Sequence, residues 1–324
     1  MTKLALGILD MSPRFDRASD EEALIQSAKL ASSAEKWGYG RYWLSEHHGM
    51  DSLACTAPEV MLAHIGARTS KIRIGAGAVL LPHYSPLKVA ECFNLLATLY
   101  PGRIDLGIGR APGGDAHTTM ALSGNFLAHV GEMPDKVHQL CELIDGSYRY
   151  DGESVRARPQ PKQPPELWML GTNVKSADMA ASCGSYYAFG QFMSSSDGPE
   201  IVQTYRDSFK PSAQREKPYV IVAVNAICAS TDSQALTLAE QFRDQFPESP
   251  LGRSELKGTD DRMALIVGDV TRMRQRLLEI QETYEADEIM IVCPGIGYEE
   301  RLESFRLIAE AAGLNESKQE ERTE

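Results

Sequence analysis

A chain of 324 residues that is 43% hydrophobic and 24% charged carries enough apolar material for a sizeable core, which excludes disorder as its default state. A formal net charge of −12 with no Lys/Arg run excludes a duplex nucleic-acid binder, which needs a basic face. No segment approaches the roughly 18 apolar residues of a membrane span. The N-terminal MTKLALGILDM lacks signal-peptide architecture and the six cysteines are scattered without a CxxC, so a cytoplasmic protein with reduced thiols is expected.

Short apolar or β-branched runs alternate with longer amphipathic ones. LALGIL (4–9) reads as the first strand. The first helix opens at Ser19-Asp20-Glu21-Glu22, a hydroxyl cap followed by acidic residues that favour the positive end of the helix dipole, and closes near Trp37-Gly38. RYWLSE (41–46) is the second strand, and a helix follows over 58–68. KIRIGAGAVLL (71–81) is the third strand; Ser85-Pro86 then starts a helix with Val89, Phe93, Leu96 and Tyr100 on one face, stopped by Pro101-Gly102. RIDLGIG (103–109), ELWML (166–170), YYAFGQF (186–192), YVIVAVNA (219–226) and EIMIVC (288–293) are the remaining strands, with helices over 134–149, 174–183, 199–209, 268–284 and 298–312.

Eight strands each followed by a helix, over somewhat more than the ~250 residues typical of that architecture, predict an α/β fold of the closed (β/α)8 TIM-barrel type. A single domain over 1–315 and a charged, frayed tail over 316–324 are expected. Insertions stand after strand four (110–133) and strand seven (228–267). The second contains PESPLGRSELKGTDDRM, which suits a mobile lid or a plain surface loop equally.

In such a barrel the active site forms at the C-terminal ends of the strands, and four stretches fall there. Glu46, His47 and His48 follow strand two. GAGA (75–78) in strand three suits either a flat ring lying against the backbone or the packing of a tapered interior. Gly109 and Arg110 end strand four before a glycine-rich loop, where a forked cation beside free amides suits phosphate or carboxylate, as does an ordinary surface ion pair. Gly171, Thr172, Asn173 and Ser176 lie at a helix start after strand five, suiting either an anion or simple N-capping. A metal centre built on EHH with His64 and His83 is disfavoured. Adjacent residues on an extended strand point to opposite sides, and an HxH spacing is missing, so no metal is expected.

LGILDMSP, YGRYWLSEHHG, TSKIRIGAGAVLLPHYSPLKVAE, LYPGRIDLGIGRAPGGD and WMLGTNVKSADMAA together resemble the bacterial luciferase-like flavin monooxygenases, in particular their single-chain relatives, over nearly the whole chain. The resemblance implies a barrel that binds reduced FMN, with phosphate on Arg110, Thr172, Asn173 and Ser176 and a non-prolyl cis peptide at Gly77-Ala78 under the ring. It implies that His47, as an imidazole titrating near neutrality, hydrogen-bonds or exchanges a proton at the flavin's reactive edge, with Glu46 and His48 orienting it or shaping the pocket. Gly109 stands where light-emitting α chains carry a reactive cysteine, which argues against bioluminescence.

The implied function is a two-component monooxygenase: a separate reductase supplies reduced FMN, and oxygen is used on an aldehyde, ketone or heteroatom compound. A deazaflavin-dependent hydride-transfer enzyme and a non-catalytic flavin-binding protein are the alternatives. Phe189, Gln191 and Phe192 are expected to line the pocket. The resemblance further implies a homodimer through the helices after strands two and three, where Ala57, Ala63, Gly66 and Ala67 offer close-packing positions.

Overall fold

Eight parallel strands close on themselves in the computed structural model, which describes residues 4–15, 17–212, 215–245, 265–295 and 297–314. In chain order the first half runs β1 (Leu6–Asp10), α1 (Asp20–Trp37), β2 (Arg41–Leu44), α2 (Pro58–Gly66), β3 (Arg73–Leu80), α3 (Pro86–Leu99) and β4 (Ile104–Gly109). The insertion after it holds α4 (Ala116–Ser123) and α5 (Phe126–Gly131) and leads into α6 (Met133–Asp145) and a small hairpin, β5 (Arg149–Tyr150) with β6 (Glu153–Ser154). The second half runs β7 (Glu166–Gly171), α7 (Val174–Ser182), β8 (Tyr186–Gly190), α8 (Gly198–Ser208), β9 (Val220–Cys228), α9 (Asp232–Gln245), β10 (Ile266–Gly268), α10 (Val270–Tyr284), β11 (Glu288–Val292) and α11 (Tyr298–Ala311). The barrel order is β1-β2-β3-β4-β7-β8-β9-β11, closed by β11 on β1, while β10 pairs with the last three residues of β9.

The eight expected barrel strands are all present, with shifted ends. The second strand stops at Leu44, so Glu46, His47 and His48 lie in the loop beyond it. The sixth stops at Gly190, and Gln191–Met193 form a 3-10 turn. The insertion after strand four is itself helical. The polar run PESPLGRSELKGTDDRM and the charged tail lie outside the described residues.

Local chemistry sets the helix ends. Ser19 accepts a hydrogen bond from Glu22 N at 3.1 Å, and Gly38 takes a left-handed φ of 93° that a side chain would disfavour. Val89, Phe93 and Leu96 on α3 are all buried, as their spacing requires.

Period-two alternation sorts each strand between two cores. On β9, Val220, Val222 and Val224 face the helices, while Ile221 and Ala223 face the lumen with Leu9, Trp43, Trp168 and Met290. Below them a buried ion network plugs the N-terminal end. Arg41 contacts Asp105 at 2.7 Å, Glu288 at 2.8 Å and Glu166 at 3.2 Å, and Arg73 contacts Asp105 at 2.6 Å and Glu166 at 3.0 Å. Burial pushes the Asp105 carboxyl up, but the two guanidinium groups outweigh it and hold it below the usual carboxylate range. With that end filled, the opening lies at the other.

Candidate active site

A cavity of about 540 Å³ occupies the C-terminal mouth, within the range of small-molecule sites. Its floor is the top of the lumen core, including Leu9, Trp43, Ile221 and Met290. Gly77 and Ala78 line one wall; their peptide bond is cis, and the β3–β4 register shifts between Ala76 and Val79 around it.

The GAGA stretch divides between its two readings. A Cβ on Gly75 would stand 2.6 Å from Asp105 Cβ, so that glycine serves strand packing away from the cavity. Gly77 and Ala78 are the pair that borders the open space. A Cβ on Gly109 would come 3.2 Å from Ala78 Cβ, which leaves little slack for a cysteine there.

The residues after β2 split by direction. His47 lines the cavity, with Nδ1 held 3.0 Å from Ser45 Oγ and its backbone N–H donating to Cys55 O at 3.1 Å. His48 is turned away: its Nε2 lies 2.8 Å from Glu46 Oε1, and its N–H donates to Gly113 O at 2.8 Å. Glu46 also accepts from Leu80 N at 3.0 Å and from the Tyr84 hydroxyl at 2.5 Å. One buried carboxylate thus ties the end of β2 to the end of β3 and, through His48, to the loop carrying Arg110. The His47 side chain differs from the expectation of near-neutral titration. Burial, with a smaller contribution from His48, lowers its pKa to about 4, so the imidazole is neutral at pH 7.

At the ends of β4 and β7, Gly109, Arg110, Gly171, Thr172, Asn173 and Ser176 all line the cavity. The helix start is a reciprocal cap. Asn173 Oδ1 accepts from Ser176 N at 3.2 Å, and the Ser176 hydroxyl donates to Asn173 O at 2.6 Å. Those two side chains are therefore occupied in building the turn. The amides of Val174 and Lys175, first in α7, have no partner among the described residues, and neither have the side chains of Arg110 and Lys175. Two cations with no ion pair among the described residues, beside an open helix start, have the chemistry to suit a dianion. Lys175, which lines the cavity, was not singled out by sequence; in a first helical turn it reads as a solvated residue.

Two pocket expectations need correction. Phe189 is fully buried in the helix-facing layer with its ring 5.9 Å from Tyr284, because alternation points Ala188 and Gly190 inward instead. Gln191 does not line the cavity, whereas Phe192 does, joined by Met193, Met11, Met50 and Met133. The close-packing residues of α2 also serve the chain itself: a Cβ on Gly66 would meet the Tyr100 ring at 2.3 Å, and the Tyr100 hydroxyl donates to Ala63 O at 2.7 Å. Of the other histidines, His64 contacts Arg68 at 3.2 Å and His83 contacts Ser123 at 2.7 Å, and no cluster of three metal-binding side chains occurs among the described residues.

The model of a family described as luciferase-like monooxygenase matches residues 5–291. The chain belongs to that family. A luciferase-like monooxygenase of Escherichia coli K12 is 36% identical, the match covering 94% of this chain and 96% of the relative. An N-acetyl-S-alkylcysteine monooxygenase of Bacillus subtilis is 30% identical over 95% of this chain and 98% of its own length. The crystal structure of apo-MsnO8 superposes with a TM-score of 0.87 at 32% identity, covering 96% of this chain and 99% of that one. Two more distant barrels share the fold alone at a TM-score of 0.70. One is the oxygenating constituent of 3,6-diketocamphane monooxygenase from Pseudomonas putida in complex with FMN, 16% identical, covering 96% of this chain and 98% of that one. The other is an F420-dependent secondary alcohol dehydrogenase, 15% identical, covering 96% of this chain and 99% of that one. The barrel of this chain is thus a fold shared by an FMN-bound monooxygenase constituent and an F420-dependent dehydrogenase. Among the described residues, no helix is long and apolar enough to cross a membrane.

Proposed function

We propose that this luciferase-like protein is the oxygenase of a two-component system. It takes reduced FMN from a separate reductase and uses molecular oxygen to oxygenate a small organic compound. The observation that carries this reading is the pair of uncommitted cations, Arg110 and Lys175, beside the open first turn of α7 on one side of an otherwise apolar cavity.

The residues fit the cofactor. Arg110, Lys175, Thr172 and the first amides of α7 suit a terminal phosphate, Asn173 and Ser176 hold that turn in shape, and Gly77 and Ala78 admit a flat ring close to the backbone. Reduced flavin, when bound, supplies the electrons that activate oxygen. The chain's own share is to exclude water with the Met-rich and Leu-rich walls and to hold His47 as a neutral hydrogen-bonding group. With Nδ1 kept by Ser45, Nε2 is the ring nitrogen left for the cavity. The apolar lining suits an aldehyde, a ketone or a thioether. The N-acetyl-S-alkylcysteine monooxygenase among its relatives supports beginning with thioethers.

A homodimer through α2 and α3 is part of this reading, supported by Val60, Leu95 and Leu99, which stand 66%, 51% and 56% exposed on those helices.

An anaerobic titration with reduced FMN and with a reduced deazaflavin, followed by oxygen, tests the proposal. FMN is expected to bind the more tightly and oxygen to be consumed; preference for the deazaflavin without oxygen uptake would overturn it. Arg110→Ala is expected to weaken FMN binding at least tenfold, about 1.4 kcal/mol. Unchanged affinity would refute the phosphate assignment.

A further inference from the structure

The loop beyond β2 gives its two histidines partners of different chemistry. His48 has a carboxylate, with its Nε2 2.8 Å from Glu46 Oε1. His47 has a hydroxyl, with its Nδ1 3.0 Å from Ser45 Oγ. Backbone hydrogen bonds pin both ends of that second contact: Ser45 N–H donates to Asp10 O at 3.0 Å and His47 N–H to Cys55 O at 3.1 Å. Glu46 stands between the two residues in sequence, but its carboxylate serves Leu80 N, the Tyr84 hydroxyl and His48.

The kind of partner decides where the ring carries its proton. A neutral imidazole has one N–H and one bare nitrogen, and the group held by one nitrogen fixes the state of the other. A carboxylate on Nδ1 can only accept, which keeps the N–H there and leaves Nε2 as a base, the arrangement of hydrolytic triads. A hydroxyl has a proton of its own to place. Ser45 is 5% exposed, and among the described residues its Oγ has no hydrogen-bond partner other than His47 Nδ1. Turned any other way, the O–H would lack a protein acceptor.

We propose that Ser45 is a positioning residue: its hydroxyl donates to His47 Nδ1 and so fixes the tautomer in which Nε2–H faces the cavity as a hydrogen-bond donor. Burial supports this by keeping the ring neutral, since a protonated ring would carry N–H on both nitrogens and reverse the contact with Ser45. In this state Nε2 cannot take a proton from a substrate. It suits an oxygen that carries or gains negative charge, such as the carbonyl oxygen of an aldehyde or ketone. The identity of that oxygen rests on the oxygenase reading above, whereas the tautomer belongs to the chain without any cofactor.

The test labels the seven histidines of the full-length protein with nitrogen-15 and records long-range proton–nitrogen correlations at neutral pH without cofactor, assigning His47 by the signals lost in His47→Gln. The expected spectrum has His47 Nδ1 at the resonance of a bare ring nitrogen and Nε2 at that of a protonated one. Ser45→Ala is expected to release the ring into a mixture of tautomers, moving both nitrogens toward intermediate resonances. Ser45→Thr keeps the hydroxyl and is expected to hold the wild-type pattern. A wild-type ring with its proton on Nδ1 would overturn the proposal, and so would a wild-type tautomer in Ser45→Ala. The wild-type spectrum decides even where a variant folds poorly. Failure to bind reduced FMN or to take up oxygen would remove the oxygenase reading and leave the tautomer standing, so the two are refuted by different results.

Discussion

At the scale of single residues, burial decides more than residue type. His47 sits in a sequence position that invites a neutral-pH proton relay, yet its enclosure lowers its pKa from 6.5 to about 4. The rate of the step that uses it is therefore expected to stay flat from pH 8 down to about 5, and a fall centred near 6.5 would show that the ring titrates freely. The same shift acts on stability with a defined sign. The unfolded chain binds a proton that the folded chain refuses between pH 6.5 and about 4, so stability is lost as pH falls through that window. Replacing His47 with Ala is expected to slow turnover about a hundredfold, the low end for a proton-transferring or hydrogen-bonding group, while leaving FMN affinity near wild type. Equal losses in both would mark a packing residue instead. EHH was visible in the sequence because it follows a strand run directly. Alternation made legible only that the two histidines diverge, and the choice of His47 came from the family resemblance; Glu46's three donors come from residues 34 and 38 positions away and from His48.

Among the elements, helices announced themselves better than strand ends did. Ser19 and Gly38 bracket α1 as their chemistry requires, and Ser85-Pro86 marks the start of α3. α4 and α5 fall in a stretch legible in sequence only as an insertion, because AHTTMALS and FLAHVG are short and carry no clear apolar stripe; Asp115 and Asn125 cap them all the same. β3 shows how an element can carry two constraints at once. Its first glycine packs on β4 and its second pair borders the cavity, which one-dimensional pattern cannot separate. Gly75→Ala places a methyl 2.6 Å from Asp105 Cβ and is expected to destabilise the fold by about 1–3 kcal/mol, the usual cost of overpacking. Urea denaturation with an unchanged midpoint would contradict that account. The same methyl would stand 2.9 Å from Trp43 Cδ1, so part of the strain falls on the cavity floor.

For the whole molecule, the plug of Arg41, Arg73, Asp105, Glu166 and Glu288 unites the starts of five strands, with Arg41 also lying 4.7 Å over the Trp168 ring. None of these residues stood out in sequence, since each is a single charge at the beginning of an apolar run. At the surface, Leu95→Glu with Leu99→Glu places charges on the exposed apolar face of α3 and is expected to convert a dimer to monomer in light-scattering mass measurements. A wild-type protein already monomeric at working concentration would remove the homodimer from the reading. The alternation of strand and helix runs was enough to determine the barrel, because each run must bury one face and parallel strands joined by helices satisfy that demand from end to end. It was enough, too, to put EHH, GRAPGG and GTN at the mouth. Tertiary structure alone decided the protonation of His47, the occupation of Asn173 and Ser176 by their own helix cap, and the place of Lys175 at the cavity with no ion pair among the described residues. Desolvation and hydrogen-bond partners depend on which distant segments pack together, and that information is not local to any stretch of the chain.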